Sequence, residues 1–294
     1  MMRNERNLSL PLALTLLLLA ACPTASPTAS PPHEDPTQPP PCTQVGQQWT
    51  SPIDGATLLC VPAGAFLMGA SETDPLAHSN EKPQRSVYLD AFWIDRTEVS
   101  NARFAQCVAD GGCHPRTFTP YSSGVTSQTR IDYYGNPAYD AYPALIYDAD
   151  EAQAYCRWAG RRLPSEAQWE KAARGTDGRT YPWGEDLDCA RASYNQCAAD
   201  TAPVDAYPGG ASPYSARNMA GNVWEWVADV HDPDYYANAP SRNPTGPASV
   251  DYHVRRGGGF RSLARDLRTT SRASGAPRHY FDGQMGFRCA LDSR

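Results

Sequence analysis

The sequence predicts an α+β domain that is rich in turns, poor in long regular elements and braced by disulfide bonds. The chain holds 22 Gly, 27 Pro, 16 Tyr and 7 Trp, a composition typical of a compact fold built largely from loops. Segments with strand-like alternation come first, and segments with helical spacing follow them. About 250 residues after the N-terminal region show no break in composition and are enough to bury a substantial core. The net charge of -6 argues against a general nucleic-acid binder.

The N-terminus has the layout of a secretory signal peptide. Arg3 and Arg6 precede an apolar run over residues 8–19, which is shorter than the roughly twenty residues that span a bilayer. Residues 19–22 read Leu-Ala-Ala-Cys and resemble the lipobox of bacterial lipoproteins. We therefore expect a signal peptide over residues 1–21 and lipidation of Cys22. An ordinary signal peptide with a chance cysteine is the alternative.

Residues 22–42 are expected to be a tether. Pro, Thr, Ser and Ala dominate this stretch, and almost no bulky apolar side chain offsets the entropy of folding. A Pro-rich segment of this length can hold a domain up to about 60 Å from a membrane. Since Pro23 is not the usual inner-membrane retention signal, we expect an exported protein anchored to the outer membrane, with its domain in the periplasm or at the cell surface.

The first half of the domain contains two predicted strands and three predicted helices. Residues 60–70 and 85–95 alternate apolar and β-prone side chains and predict the strands. Each predicted helix begins at a capping residue and ends at glycine. The first runs from Ser100 to the Gly111-Gly112 pair. The second starts at Asp148, with Glu151 three residues later, and ends at Gly160, and the third starts at Ser165, with Gln168 three residues later, and ends at Gly175. The remaining 120 or so residues predict loops and short strands, which are unusual at this length unless functional or braced by disulfides.

Eight cysteines remain once Cys22 is assigned to the lipid. An even number in an exported protein predicts disulfides, although eight cysteines allow 105 pairings. Cys107 with Cys113 and Cys189 with Cys197 can each close a short loop. Structural zinc is the competing interpretation, but the sequence contains no CxxC pair.

Five ordered motifs resemble the sulfatase-modifying factor family, whose members include the formylglycine-generating enzymes. They are RRLPSEAQWE at 161–170, YPWG at 181–184, NMAGNVWEW at 218–226, RGG at 256–258 and GFRC at 286–289. The resemblance spans residues 56–292. It implies a mixed α and β fold related to C-type lectins.

The resemblance also implies a disulfide between Cys156 and Cys289, since both match cysteines of the family. With the two short pairs formed, the remaining pair is Cys42 with Cys60. No free thiol is then left in the domain.

The family's copper(I) site requires two unpaired cysteines a few residues after the Gly-Gly turn. Residues 257–266 read GGGFRSLARD and hold neither cysteine. Ser262 stands at the first thiol position, Gly259 replaces a serine and Leu263 a histidine, and the stretch is about three residues too short for the second thiol. Because copper(I) selects soft sulfur ligands, we expect no copper site and no catalytic residue here.

The sequence therefore predicts a non-catalytic binding or scaffold module for a peptide, glycan or protein, with the membrane as a second partner. The alternative is a formylglycine-generating oxidase, or a related non-haem metal oxidase, with altered ligands.

A calcium site is implied by the resemblance of residues 218–226 to the family's calcium loop. The matching ligands are the side chains of Asn218 and Glu225 and the main-chain oxygens of Met219, Gly221 and Val223. Hard oxygen donors suit calcium. The alternative is that Asn218 and Gly221 only shape a turn.

Seven arginines between residues 255 and 278 form a basic stretch in an acidic protein. Arg256, Arg272 and Arg288 match recurrent arginines of the family and are expected to pair with buried carboxylates and carbonyls. Arg261 and Arg265 flank the lost thiol position and are the candidates for a ligand groove.

The histidines show no clustered metal pattern. Asp229 and His231 could approach each other as part of a facial triad, but surface histidines are the preferred interpretation. The six are His33, His78, His114, His231, His253 and His279.

Overall fold

The computed structural model describes Met1 and residues 37–294, apart from residues 116–129, 131, 148, 196, 248–251 and 275–282. The predicted signal peptide, Cys22 and the tether up to residue 36 lie outside the described residues, as do Asp148, His33 and His279. Among the described residues, no helix combines the length and apolar character needed to cross a bilayer.

Ten short strands form three sheets. The first has the order β1-β2-β5-β10 and is antiparallel throughout, the second pairs β3 with β4, and the third has the order β8-β7-β6-β9, in which only β6 and β9 run parallel. The strands are β1 Gln48–Thr50, β2 Thr57–Val61, β3 Gly64–Met68, β4 Arg85–Leu89, β5 Phe92–Asp95, β6 Trp224–Val230, β7 His253–Arg256, β8 Arg272–Ser274, β9 Met285–Phe287 and β10 Ala290–Asp292.

Each of the two predicted strands is in fact two strands. Residues 60–70 contain the end of β2 and all of β3, and residues 85–95 contain β4 and β5. The apolar alternation is real, but the partner changes midway: β2 pairs with β5 in the first sheet, whereas β3 pairs with β4 in the second. Pro62, which has no amide hydrogen to donate, lies at the first break. A run of alternating residues cannot reveal such a change of partner.

Helices α1 and α3 begin where their capping residues predict, α2 begins directly after the predicted cap position 148, and α4 was not predicted. They are α1 Asn101–Ala109, α2 Ala149–Trp158, α3 Glu166–Arg174 and the short α4 Tyr235–Asn238. Ser100 accepts a hydrogen bond from the Arg103 amide at 3.4 Å. Ser165 and Gln168 form a reciprocal capping box, with bonds of 3.2 and 3.0 Å.

Helix α3 is buried along its whole length, although it carries Glu166, Glu170, Lys171 and Arg174. Lys171 donates to the main-chain oxygens of Pro62 and Gly64, and burial lowers its pKa to about 8. The apolar core packs around this helix and Trp169. A charged helix can occupy the core only because every charge on it has a partner.

Four disulfides brace the fold, and they are the pairs expected from the sequence. Cys156 in α2 is bonded to Cys289 beside β10, across 133 residues. The three short bridges are Cys42–Cys60, Cys107–Cys113 and Cys189–Cys197. Every cysteine after Cys22 is therefore oxidised.

Candidate functional site

The loop that follows β7 contains the former thiol position. Gly257 and Gly258 adopt φ values of 92° and 75°, a region that favours glycine. A Cβ atom on Gly257 would lie 3.1 Å from the Trp169 ring, so the loop also needs glycine for close packing. Ser262 closes the turn: its hydroxyl accepts from the Gly259 amide at 2.9 Å, and its amide donates to the Gly259 carbonyl at 2.9 Å.

The Ser262 side chain is therefore a structural element of a tight turn. It is 8% exposed, and the bond from Gly259 occupies the hydroxyl oxygen. The loop from Gly257 to Leu267 contains no sulfur atom. Because the eight cysteines of the domain are all in disulfides, this loop has no thiolate pair for copper(I).

Arg261, Leu263 and Arg265 are exposed around this turn. The Arg261 guanidinium lies 5.6 Å from the centre of the Phe260 ring, and the Arg261 amide donates to the Gln284 side chain at 3.0 Å. The Nε atom of Arg265 lies 3.7 Å from Oδ1 of Asp266, and the Arg265 side chain is 55% exposed. The two candidate groove arginines are thus exposed residues, and the prediction that they form a ligand groove stays a prediction.

A pair of aromatic rings borders the same loop. Tyr181 and Trp183 are stacked, with 5.7 Å between ring centres and an interplanar angle of 11°. The Tyr181 hydroxyl donates to the main-chain oxygen of Ala264 at 3.4 Å. The amide of Asn195 donates to the Ser262 carbonyl at 3.3 Å. We call the surface formed by Tyr181, Trp183, Arg261, Leu263 and Arg265 the Ser262 surface.

Arg256 and Arg272 of the basic stretch are internal, and so is Arg288 further along the chain. Arg272 donates to both oxygens of Glu166 at 2.8 Å, and Arg256 bonds Glu170 at 2.5 Å. Arg288 pairs with Glu225. The prediction of buried pairs for Arg256, Arg272 and Arg288 is confirmed.

Arg268 is a further internal arginine that sequence reasoning missed. It is buried and bonds both oxygens of Glu81 at 2.9 and 2.7 Å. Their separation of 187 residues explains why no local pattern identified the pair.

The candidate calcium loop has an unusual backbone. Asn218, Gly221 and Asn222 have φ values of 54°, 84° and 66°, so three of five successive residues adopt the left-handed backbone conformation. Glu98 fixes the loop from outside by accepting from the side-chain amides of Asn218 at 3.0 Å and Asn222 at 2.8 Å. The side-chain oxygen of Asn218 is buried and has no hydrogen-bond partner among the described residues.

The main-chain oxygens expected to bind calcium are also available. Within the described part of the chain, no main-chain amide donates to the carbonyls of Met219, Gly221 or Val223. Together with the unpartnered Asn218 oxygen, these atoms fit a hard cation. They are the donors through which calcium would be held.

Glu225 fits calcium less well than Asn218. Arg288 donates to its two oxygens at 2.7 Å each, and the Trp169 indole donates to one of them at 2.8 Å. The charge of Glu225 is thus already balanced by a buried cation. A calcium ion at this loop would have to share the carboxylate with Arg288.

Glu98 was not predicted from the sequence. It is fully buried, and its pKa is raised to about 7 by burial, while Arg288 acts to lower the pKa and Glu225 to raise it. The only sequence signal is its position three residues before α1. Nothing in that position indicates its contacts with Asn218 and Asn222, more than 100 residues away.

Asp229 and His231 belong to separate contacts. Asp229 accepts from the Glu166 amide at 2.7 Å, and His231 lies 3.5 Å from the Asn80 side-chain amide. Burial, together with the nearby Glu166, raises the pKa of Asp229 to about 7. Among the described residues, no group of three or more His, Cys, Asp and Glu side chains is placed to hold a metal.

Comparison with known proteins gives one consistent family. The family model described as FGE-sulfatase, a sulfatase-modifying factor enzyme 1-like domain, matches residues 45–293. A formylglycine-generating enzyme from Streptomyces coelicolor is 34% identical over 284 residues, covering 79% of this chain and 88% of the relative. A hercynine oxygenase from Mycolicibacterium smegmatis is 33% identical over 244 residues, covering 74% of this chain and 57% of the relative.

The solved structures agree at the level of the fold. PvdO from Pseudomonas aeruginosa superposes with a TM-score of 0.68 at 23% identity, covering 85% of this chain and 99% of that one. At this identity the likeness shows the fold, which is the one that the sequence motifs imply. Two of the named relatives are enzymes, whereas the Ser262 loop of this chain holds no thiol pair.

Proposed function

From the premise that the chain belongs to the sulfatase-modifying factor (FGE-sulfatase) family, we propose that it is a non-catalytic binding module. The observation that carries the proposal is the turn at Ser262. A hydroxyl closes it where a copper(I) site needs sulfur, and all eight cysteines of the domain are oxidised. Function is set by the site and not by the fold, so a family fold without the thiol pair need not keep the reaction.

The Ser262 surface is the proposed binding face, and an extended peptide segment of an exported protein is the proposed ligand. Arg261 and Arg265 supply exposed cations for acidic side chains, and the half-buried Trp183, which stacks on the buried Tyr181, supplies an aromatic contact. Arginine and aromatic side chains contribute most of the binding energy at many interfaces. A glycan would use the aromatic pair but would not require both arginines.

Calcium is part of the proposal as a structural ion. The Asn218 side-chain oxygen and the main-chain oxygens of Met219, Gly221 and Val223 would hold it, with Glu225 shared between the ion and Arg288. When bound, the ion would fix the backbone of residues 218–225, which adjoins the Ser262 loop through the bond from the Gly221 amide to the Gly257 carbonyl.

We propose further that the protein is exported and anchored through a lipid on Cys22. Four disulfides support an oxidising compartment. Labelled palmitate supplied to cells should enter the wild-type chain and be lost in Cys22→Ala. Equal labelling of the two chains would contradict the anchor.

Catalysis is tested with the full chain carrying Cys22→Ala, which removes the lipid and the one cysteine outside the domain. The native protein should take up no thiol label, and it should consume no oxygen with a cysteine-containing peptide and copper(I). The Streptomyces coelicolor enzyme, assayed in parallel, is the positive control. Oxygen-dependent turnover by this chain would overturn the proposal in favour of an oxidase with altered ligands.

Binding is tested on arrays of acidic peptides and of glycans. The double variant Arg261→Gln with Arg265→Gln should reduce peptide binding at least about tenfold, the usual effect of losing charge-assisted bonds. Arg242→Gln, at an exposed pair with Asp90, is the matched control and should bind normally. Signals confined to glycans, or unchanged by the double variant, would reject the peptide proposal.

A further inference from the structure

We infer that a cavity next to the N-terminus of α1 binds a small zwitterion of the amino-acid type. The cavity has a volume of about 390 Å³ and is lined by the start of β2, the turn from β5 into α1, and residues 140–141 and 204–205. None of its lining residues belongs to the Ser262 surface. We call it the α1 cavity, and its proposed role does not depend on the proposed peptide site.

Two arginines line the α1 cavity, and neither forms an ion pair with a carboxylate among the described residues. The Nε atom of Arg96 is buried and has no hydrogen-bond partner, and its guanidinium forms no ion pair within the part of the chain that the structure describes. Arg103 donates only to uncharged oxygens, the Thr97 hydroxyl at 2.8 Å and the Glu98 carbonyl at 3.1 Å. A carboxylate in the cavity would accept from the half-buried Arg96 guanidinium, whose charge no ion pair among the described residues neutralises.

The N-terminus of α1 adds to the positive potential of this wall. Ser100 and Ala102 both line the cavity, and α1 has nine residues. Its first amides already donate to protein oxygens, so the helix contributes its dipole and not free N–H groups. The arginines, and not the helix end, are therefore the direct donors to a ligand.

Two aspartates line the same cavity with their carboxylates unpaired. The main-chain oxygen of Asp140 accepts from the Ala102 amide at 3.0 Å, and that of Asp205 accepts from Arg217 at 3.2 Å, so both backbones are held in place. Both residues are exposed, and among the described residues neither carboxylate forms an ion pair, although two arginines share the cavity. Half-buried cations thus lie in the wall and anions lie at the rim.

This separation of charge selects the class of ligand. An anion alone would face the two aspartates, and a cation alone would face the two arginines, so each would meet repulsion. A molecule with a carboxylate at one end and an ammonium group at the other satisfies both sets. The volume lies at the small end of the range for ligand pockets, which suits a free amino acid or the ends of a very short peptide.

The test uses calorimetry on the full chain carrying Cys22→Ala, with the twenty free amino acids and alanyl-alanine as probes. The best probe is then compared with its N-acetylated form, which lacks the ammonium, and its C-terminal amide, which lacks the carboxylate. Each should bind at least about tenfold more weakly. Tighter binding of the dipeptide would identify a peptide as the source of the zwitterion, and tighter binding of a free amino acid would identify the monomer.

Variants assign each end of the ligand to its partner. Arg96→Gln should weaken the zwitterion about tenfold or more, and it should not weaken the cationic amide, which loses a repulsive charge. The double variant Asp140→Asn with Asp205→Asn should weaken the zwitterion, and it should not weaken the anionic N-acetylated form, which loses two repulsive charges. Arg261→Gln, on the Ser262 surface, is the matched control and should bind the zwitterion normally.

Unfolding midpoints of all variants should match that of the parent chain, because no ion pair is removed. Absence of binding by every probe at millimolar concentration would overturn the inference. So would binding that is indifferent both to Arg96→Gln and to the aspartate variants. Failure of peptide binding at the Ser262 surface would not change this result.

Discussion

Arg288 and Glu225 form a bidentate ion pair between the end of β9 and β6, with both bonds at 2.7 Å and neither side chain exposed. The pair joins the C-terminal GFRC motif to the candidate calcium loop. Removing one partner would leave the other charge buried without compensation, which is far more costly than losing an exposed pair.

We therefore expect Arg288→Met to lower the free energy of unfolding by about 3–5 kcal/mol. Urea denaturation followed by circular dichroism measures this change in the free energy of unfolding. Arg242→Ala is the control, because its pair with Asp90 is exposed and should contribute no more than about 1 kcal/mol. If the two variants lost equal amounts of unfolding free energy, the buried pair of Arg288 with Glu225 would contribute no more to stability than an exposed pair.

Calcium should stabilise the domain by mass action at the 218–225 loop. At a calcium concentration of 100 times the Kd, the gain is about 2.7 kcal/mol, seen as a higher unfolding temperature relative to protein in EDTA. Asn218→Gly should abolish the response without backbone strain, since glycine tolerates the φ of 54° found there. Asn136→Ala changes an asparagine outside this loop, and this variant should keep the calcium-dependent rise in unfolding temperature. A response in Asn218→Gly equal to that of the parent would contradict this ligand.

The long disulfide should contribute more to stability than a short one. In the chain-entropy model, Cys156–Cys289, which spans 133 residues, contributes about 5 kcal/mol, and Cys107–Cys113, which spans six, about 2 kcal/mol. Paired alanine variants of each bridge, compared by chemical denaturation, measure the difference. The order of the two losses is the prediction, and a reversed order would contradict it.

Glu98 and Asp229 should each contribute less to stability as the pH rises from about 4 to about 7. Burial raises the pKa values of Glu98 and Asp229 to about 7, from 4.5 and 3.8, so the folded state holds these protons more tightly than the unfolded state does. The stability associated with each group is thus fully present below its unfolded pKa and is lost as the pH approaches 7. Each group contributes up to about 1.4 kcal/mol per pH unit within that window.

Asp229→Asn isolates one of these groups. In EDTA, the unfolding free energy of the variant should depend less steeply on pH than that of the parent chain. The contribution of Asp229 to this dependence is lost, and the contribution of Glu98 remains. Unfolding free energies measured from pH 4.5 to 7.5 test it. An unchanged slope would mean that Asp229 does not titrate in this window.

Local signals in the sequence predicted local structure well. The caps at Ser100 and Ser165 depend on contacts three residues apart, so their helices begin where the sequence predicts them. The change of sheet at Pro62 was missed, because alternation shows which residues face inward but not which strand lies beside them. The internal arginines were partly predicted, through family motifs, but the partner of Arg268 was not.

The sequence by itself determined the family, the absence of sulfur at the turn after β7, and an even set of cysteines able to close four bridges. These follow from residue identity and order along the chain. Only the tertiary structure decided that the Ser262 hydroxyl closes its own turn, that Glu98 holds the Asn218 loop, and that Arg96 lines the α1 cavity with no ion pair among the described residues. Such contacts join residues far apart in the chain, and burial decides which charges must pair and which remain available to a ligand.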